Sequence, residues 1–217
     1  TLAVAYSLPE TGARFAINAQ PDGSGAWTRY TVEAGDFKAI SLAVVGDKPA
    51  VAYISEDGAT VRFAINTAND GSGAWNANTV ESVPAAAFNA VSLAEIDGRP
   101  AIAYTKGHGF LLRFAINELA DGSESWDLVS VGAPHFSGAV CLRSIGGLPS
   151  IAALNTLSFD LRFLQNSAAD ATGEWMEELV DNVDSVGWGC SLAEVAGKPA
   201  ISYGDGTNGD LKFARKP

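Results

Sequence analysis

The phrase RFAINAQPDGSGAW at residues 14–27 returns as RFAINTANDGSGAW at 62–75 and as RFAINELADGSESW at 113–126. Aligned on its basic residue, the phrase recurs at Arg14, Arg62, Arg113, Arg162 and Lys212, a period of about 50 residues. Self-similarity at this spacing constrains the fold more than any other feature, because each copy must be one structural unit whose apolar faces are buried by its neighbours.

Each period holds four strand-like segments, seen in AISLAVVGD (39–47), KPAVAYIS (48–55), TVRFAIN (60–66) and AWNANTVES (74–82). The first two are apolar runs of the kind found in strands covered on both faces. Turn signals separate them: GDKP, DGRP, GGLP and AGKP after the first strand, DGSGAW, DGSESW and DATGEW before the fourth. Four antiparallel strands per 40–50 residues predict an all-β fold, a β-propeller. The chain supplies whole blades at 39–82, 90–131 and 139–181, a leading piece at 1–33 with strands two to four, and a trailing piece at 189–215 with strands one to three. We expect one propeller domain over 1–217, five blades with the first and last incomplete. Its alternatives are a fragment of a longer array and a ring closed by a second chain, so self-association through the incomplete terminal blades is expected as a partner mode.

Composition bounds the partners. With 47% hydrophobic and 18% charged residues, 23 glycines and nine prolines, the chain reads as folded and turn-rich. A net charge of −11 would repel nucleic acid and anionic membranes, which leaves a cation, a neutral sugar or a basic protein open, with a glycan or protein as the expected ligand. No run of about 18 uncharged apolar residues is present to cross a bilayer as a helix. The chain starts at Thr1 and its only methionine is Met176, so a processed product or a piece of a longer secreted repeat protein is expected, with an extracellular or cell-surface setting. No cofactor motif is found.

The turn between the third and fourth strands has the form Asp-x-[Ser/Thr]-x-x-Trp: Asp22 with Trp27, Asp70 with Trp75, Asp121 with Trp126 and Asp170 with Trp175. It resembles the Asp-box repeat of sialidase-type propellers. The glycine of that box is displaced here to Gly25, Gly73 and Gly173, and Glu124 replaces it in the third unit. A structural role follows: the Asp accepts N–H groups in its own turn and the Trp covers the gap to the next blade. One carboxylate per loop is too few for calcium, so no metal is expected.

The resemblance also implies an alternative function. Sialidases of this type hold their substrate with an arginine cluster and use a tyrosine nucleophile with a glutamate partner. Here the third-strand arginines recur in every unit, as do Tyr6, Tyr53, Tyr104 and Tyr203, with Ala153 replacing one. Features present in every blade are architecture, and an active site breaks symmetry, so no catalytic residue is assigned. A sialidase-like or other glycoside hydrolase is the alternative to a noncatalytic binding or scaffold propeller.

Variable segments are the better place for a ligand. The loops between strands two and three, and the connections between blades, emerge on one face and vary most. Each connection presents an aromatic residue, Phe37, Phe88, Phe136 or Trp188, suited either to an apolar plug around the channel or to stacking on a sugar. Trp188, flanked by glycines in VGWGC, is the preferred binding residue. His108 and His135 fall in a loop and the following connection and are candidates for the same face. Cys141 takes the place of Ser41 and Ser92, and Cys190 that of Ile40 and Val91. Opposite strand parity could bring these two thiols face to face as a disulfide.

Overall fold

The computed structural model describes residues 2–83, 88–107 and 110–216. Eighteen strands form five antiparallel sheets, as the period predicts. Blade 1 has three, β1 (Ala3–Leu8), β2 (Gly12–Asn18) and β3 (Trp27–Glu33). Blade 2 has four, β4 (Phe37–Val45), β5 (Lys48–Ser55), β6 (Thr60–Asn66) and β7 (Trp75–Ser82). Blade 3 repeats the pattern with β8 (Phe88–Ile96), β9 (Arg99–Lys106), β10 (Leu111–Asn117) and β11 (Trp126–Val131). Blade 4 comprises β12 (Phe136–Ile145), β13 (Leu148–Asn155), β14 (Asp160–Asn166) and β15 (Trp175–Asp181). Blade 5 stops at three strands, β16 (Val186–Val195), β17 (Lys198–Asp205) and β18 (Asp210–Arg215).

The first strands β4, β8, β12 and β16 lie side by side at the inside of the array. They are tied across blades by a side chain: Leu93 N–H donates to Ser41 Oγ and Leu142 N–H to Ser92 Oγ, each at 2.9 Å. The second strands β5, β9 and β13 are buried along nearly their whole length because both of their faces are covered. The outer strands β3 and β15 are largely exposed.

Between blades the core is built from one recurring contact. Phe15 of blade 1 packs on Trp75 of blade 2, Phe63 on Trp126, and Phe114 on Trp175, with ring centroids 5.4, 5.3 and 5.1 Å apart in tilted or edge-on geometry. The arginine-phenylalanine element of the repeat therefore carries its apolar ring forward to the next blade's hairpin tryptophan.

The hairpin that holds that tryptophan is organised by a residue sequence reasoning passed over, the asparagine ending strand three. Asn66 is buried. Its Nδ2 donates to the carbonyls of Gly71 and Gly73, and its Oδ1 accepts the N–H groups of Ala68 and Gly73. Asn18 makes the same four bonds, while Asn166 keeps three of them, lacking a bond from Gly173 N–H. A Cβ on Gly73 would come within 2.9 Å of Asn66 Oδ1, which explains the displaced glycine of the motif. In the third unit Glu124 stands there, and Asn117 makes no bond from the Glu124 N–H, its Nδ2 donating instead to Glu124 O and Ser125 O. The Asp of the motif has the expected turn role: Asp22, Asp70, Asp121 and Asp170 each accept the N–H two residues on. Hydrogen bonds from that residue hold all four carboxyls below the usual carboxylate range.

Candidate functional site

The recurring tyrosines and arginines form clamps between blades. Tyr53 O–H donates to Glu33 of the preceding blade, which also accepts two bonds from Arg62. One blade on, Tyr104 O–H donates to Glu81 at 2.5 Å, with Lys106 and Arg113 beside the same carboxylate. Tyr203 donates to Asp181 at 2.8 Å, with Lys212 as the cation. Burial pushes the Tyr53 and Tyr104 hydroxyls well above the usual range, and Tyr203 is pushed up to about 12. The pairing of tyrosine with a carboxylate that the sialidase resemblance implies thus recurs, with glutamate between blades 1 and 2 and between blades 2 and 3 and aspartate between blades 4 and 5.

Between blades 3 and 4 the clamp is absent in a concerted way. Val131 occupies the acid's register position and Ala153 the tyrosine's. Arg162 turns instead to Asp160 on its own strand, with Nε and Nη2 at 2.9 and 2.7 Å from the two carboxylate oxygens.

The clamps give a pH dependence. Burial disfavours the charged form of Glu81, but bonds from Lys106 and Tyr104 and the charge of Arg113 outweigh it, so its carboxyl lies below the usual range. A depressed folded value means stability that is present above the ordinary glutamate pKa, about 4.3, and is lost as pH falls through the folded value. Tyr104→Phe is expected to cost about 2 kcal/mol at neutral pH, since it removes a bond to a charged group. Glu81→Gln should flatten the acid end of a denaturant-unfolding series taken against pH.

On the loop face, the four connection aromatics separate into two kinds. Phe37, Phe88 and Phe136 begin the inner strands, and Phe88 and Phe136 are fully buried; Phe37 and Phe88 pack edge-on against Tyr53 and Tyr104. Their rings line the interior under the connections. Trp188 is not their counterpart. The inner strands of blades 4 and 5 carry one more residue in their bulge than those of blades 2 and 3, so Val186 takes the place of Phe136 and Trp188 that of Gly138. Trp188 thus lies in the bulge itself, two residues beyond the buried Val186, and its indole is 44% exposed. Its Nε1 donates to Ser185 Oγ at 3.0 Å, and the ring lies over Gly206, where a Cβ would come within 2.8 Å of Nε1.

Two further aromatics share this rim. The residue just before strand three has a positive φ in blades 3, 4 and 5, where it is Phe110 (49°), Phe159 (55°) and Gly209 (73°); in blade 2 the positive φ falls one residue earlier, at Gly58. Bulky residues are rare in this conformation, which costs them about 1–2 kcal/mol. Both rings stand partly exposed, with Leu157 and Val183 also exposed on the same stretch. Backbone bonds tie these loops to the following connections, Phe136 N–H to Phe110 O and Val186 N–H to Phe159 O, while Gly206 N–H closes the series onto Ser185 O. A rim of apolar side chains therefore runs over blades 3 to 5. Blades 1 and 2 have Glu10, Glu56 and Asp57 in the matching loops. Phe110 and Phe159 belong to the variable loops between strands two and three, but only backbone geometry singles them out.

His135 has a positive φ, and its carbonyl accepts two bonds from Thr156. His108 lies outside the described residues. Among the described residues no group of three or more His, Cys, Asp or Glu side chains is arranged to hold a metal. Asp205 is buried at the base of its turn, and bonds from Asn208 and Lys212 hold its carboxyl low. The opposite, hairpin face carries grooves between successive blades, of about 540 Å³ between blades 1 and 2 and about 540 Å³ between blades 3 and 4. A smaller one separates blades 2 and 3. Each contains one motif carboxylate, Asp70, Asp170 or Asp121, already engaged in its own turn.

Cys141 and Cys190 face each other across blades 4 and 5 as free thiols, their Sγ atoms 2.9 Å apart. The bond from Cys190 lowers the Cys141 pKa, while the Cys190 thiol is pushed up. With the sulfur atoms this close, treatment with oxidised glutathione should release two reduced glutathiones and leave one disulfide, by attack of one thiolate on glutathione disulfide and displacement of the attached glutathione by the other thiol. Mass spectrometry should show the loss of two hydrogens with both cysteines in one linked peptide. The oxidised form should resist unfolding by an extra 2–3 kcal/mol or about that.

No protein-family model matches this sequence, and no curated protein matches it at the level of sequence. Solved structures do match in shape. AofleA from Arthrobotrys oligospora superposes with a TM-score of 0.68 at 13% identity, over 99% of this chain and 65% of that one. The alpha-L-arabinofuranosidase Arb93A from Fusarium graminearum gives 0.66 at 10% identity, over 98% and 70%. The NanB sialidase of Streptococcus pneumoniae gives 0.60 at 14%, over 93% of this chain and 34% of that one. The chain thus spans about two thirds of AofleA and a third of NanB. Its five sheets of three or four antiparallel strands have the β-propeller fold of sialidase-type Asp-box proteins.

Proposed function

We propose that this protein is a noncatalytic binding propeller whose loop face over blades 3 to 5 holds a carbohydrate. The observation that carries the reading is the pair Phe110 and Phe159, in a left-handed backbone conformation that blade 5 gives to Gly209, on the rim that also exposes Trp188. Strain retained at a surface turn where glycine would relieve it points to a use for the ring. Flat aromatic faces suit the C–H surface of a sugar ring, and the neighbouring backbone carbonyls and the Ser185 and Thr207 hydroxyls suit its polar edge. Two of the similar folds are named as enzymes that act on carbohydrate, a sialidase and an arabinofuranosidase, which favours this ligand class over a protein.

Glu81, Asp181 and Asp205 are each engaged by the tyrosines, cations and backbone of their own clamps and turns. A glycan-array screen tests the proposal. The protein should retain one class of glycan reproducibly, and Trp188→Ala should weaken retention at least tenfold, the effect of losing a central aromatic contact. Phe159→Gly should weaken binding while raising stability by roughly 1 kcal/mol as the strain is released. Release of free sugar from the retained glycan would favour the hydrolase instead.

A further inference from the structure

Cys141 and Cys190 are held unequally by their strands. Cys141 belongs to an unbroken stretch of the β12–β13 ladder, opposite Ala152, and β12 is packed between β8 and β16. Cys190 has no such place. The β16–β17 register slips twice, between Val186 and Trp188 and again between Trp188 and Ser191, and Cys190 lies with Gly189 inside the second slip. Gly187 and Gly189 flank Trp188 with φ of 100° and 57°, so this bulge has more backbone freedom than a regular ladder allows. Trp188 and Cys190 therefore share one short glycine-flanked segment, the indole at the rim and the sulfur buried against blade 4. In earlier blades the position of Cys141 is held by serine, Ser41 and Ser92 accepting the N–H of Leu93 and Leu142 on the next inner strand. Between blades 4 and 5 a pair of thiols takes the place of that tie.

We propose that this pair is a redox catch on the rim: when the disulfide forms, the bulge of β16 is drawn toward blade 4 and pinned, and Trp188 is pinned with it. The inference rests on the reading of Trp188 as a carbohydrate contact and adds the regulation of that contact. Oxidation needs an acceptor of two electrons, a low-molecular-weight disulfide such as glutathione disulfide. One thiolate attacks it and releases one glutathione, the other thiol displaces the second, and the two thiol protons end on the two glutathiones released. The sulfur atoms must close from 2.9 Å to about 2.05 Å. Moving Cys141 would strain its ladder with β13, whereas Cys190 sits where the ladder is already broken, so the change is delivered to Gly189 and Trp188. The indole passes it to the connection through its bond to Ser185 Oγ. A pinned bulge has less freedom to lose when a sugar stacks on the indole, which makes the oxidised protein the tighter binder.

Proton–nitrogen spectra of the whole chain test this without any glycan. Protein oxidised with glutathione disulfide and protein reduced with a phosphine should place the Trp188 indole signal, assigned by Trp188→Ala, at two different positions, while the other indole signals stay where they are. Retention of the glycan selected on the array should then be tighter in the oxidised state by about threefold or more. Cys141→Ser, which restores the residue found at Ser41 and Ser92, should bind as the reduced protein does and respond to neither reagent. Cys190→Ala replaces it if circular dichroism shows the serine variant unfolded. Cysteines that stay free in glutathione disulfide, a Trp188 signal that ignores the redox state, equal retention in the two states, or a single-cysteine chain that still responds would each overturn the proposal. Loss of all glycan retention in both states would instead remove the carbohydrate reading, and the Trp188 signal alone would then support or overturn the catch.

Discussion

Phe63→Ala should destabilise the protein by about 3–5 kcal/mol, whereas Phe213→Ala, the same change at the same position of the repeat, should alter the stability of dilute protein by less than about 0.5 kcal/mol. Phe63 is fully buried with its ring against Trp126, so truncation removes the transfer free energy of a phenyl group and leaves a cavity that neighbouring β-strands cannot fill. Phe213 is 66% exposed, so its truncation removes little buried surface. Denaturant unfolding at low protein concentration measures both. Equal losses would mean that Phe213 is covered in solution.

The second large effect falls on an asparagine rather than on the aspartate that gives the motif its name. Asn66→Ala should cost about 4 kcal/mol, because two N–H groups and two carbonyls of the hairpin lose their partner together. Asn66→Asp tests the chemistry at nearly constant shape. A carboxylate can still accept from Ala68 and Gly73 but cannot donate to Gly71 O and Gly73 O, so it too should lose several kcal/mol. Asp70→Ala, on an exposed turn with bonds from Ser72 alone, should cost about 1 kcal/mol. If Asp70→Ala proved the more damaging, the hairpin would be organised by its surface turn and not from within.

The period made the blades legible because each apolar run and each turn signal occurs four or five times, and repetition averages away local ambiguity. The strand TVRFAIN was read at 60–66, and the sheet places it at Thr60–Asn66. Asn66 itself was hidden by the same regularity: it closes a strand in which the apolar residues carry the visible pattern, and nothing in a linear reading says that its side chain turns back into the hairpin. Trp188 illustrates a different loss. It is the aromatic of its connection in the sequence, but the register gives the interior place to Val186, and Trp188 falls two residues later, in the bulge of β16 on the rim. Phe110 and Phe159 were unreadable for a third reason, since the signal is a sign of φ. The facing of Cys141 and Cys190 was legible because strand parity alone determines it.

The measurement that bears most directly on the proposed site is the indole region of a proton–nitrogen spectrum during titration with the glycan that the array retains. Five tryptophans give five indole signals, and Trp188→Ala assigns the one at the rim. The account predicts that the Trp188 signal moves in a saturable way while that of buried Trp126 stays in place, with the glycan recovered unchanged. Shifts confined to Trp175, which lines the groove between blades 3 and 4 on the hairpin face, would contradict it and place the ligand between the blades.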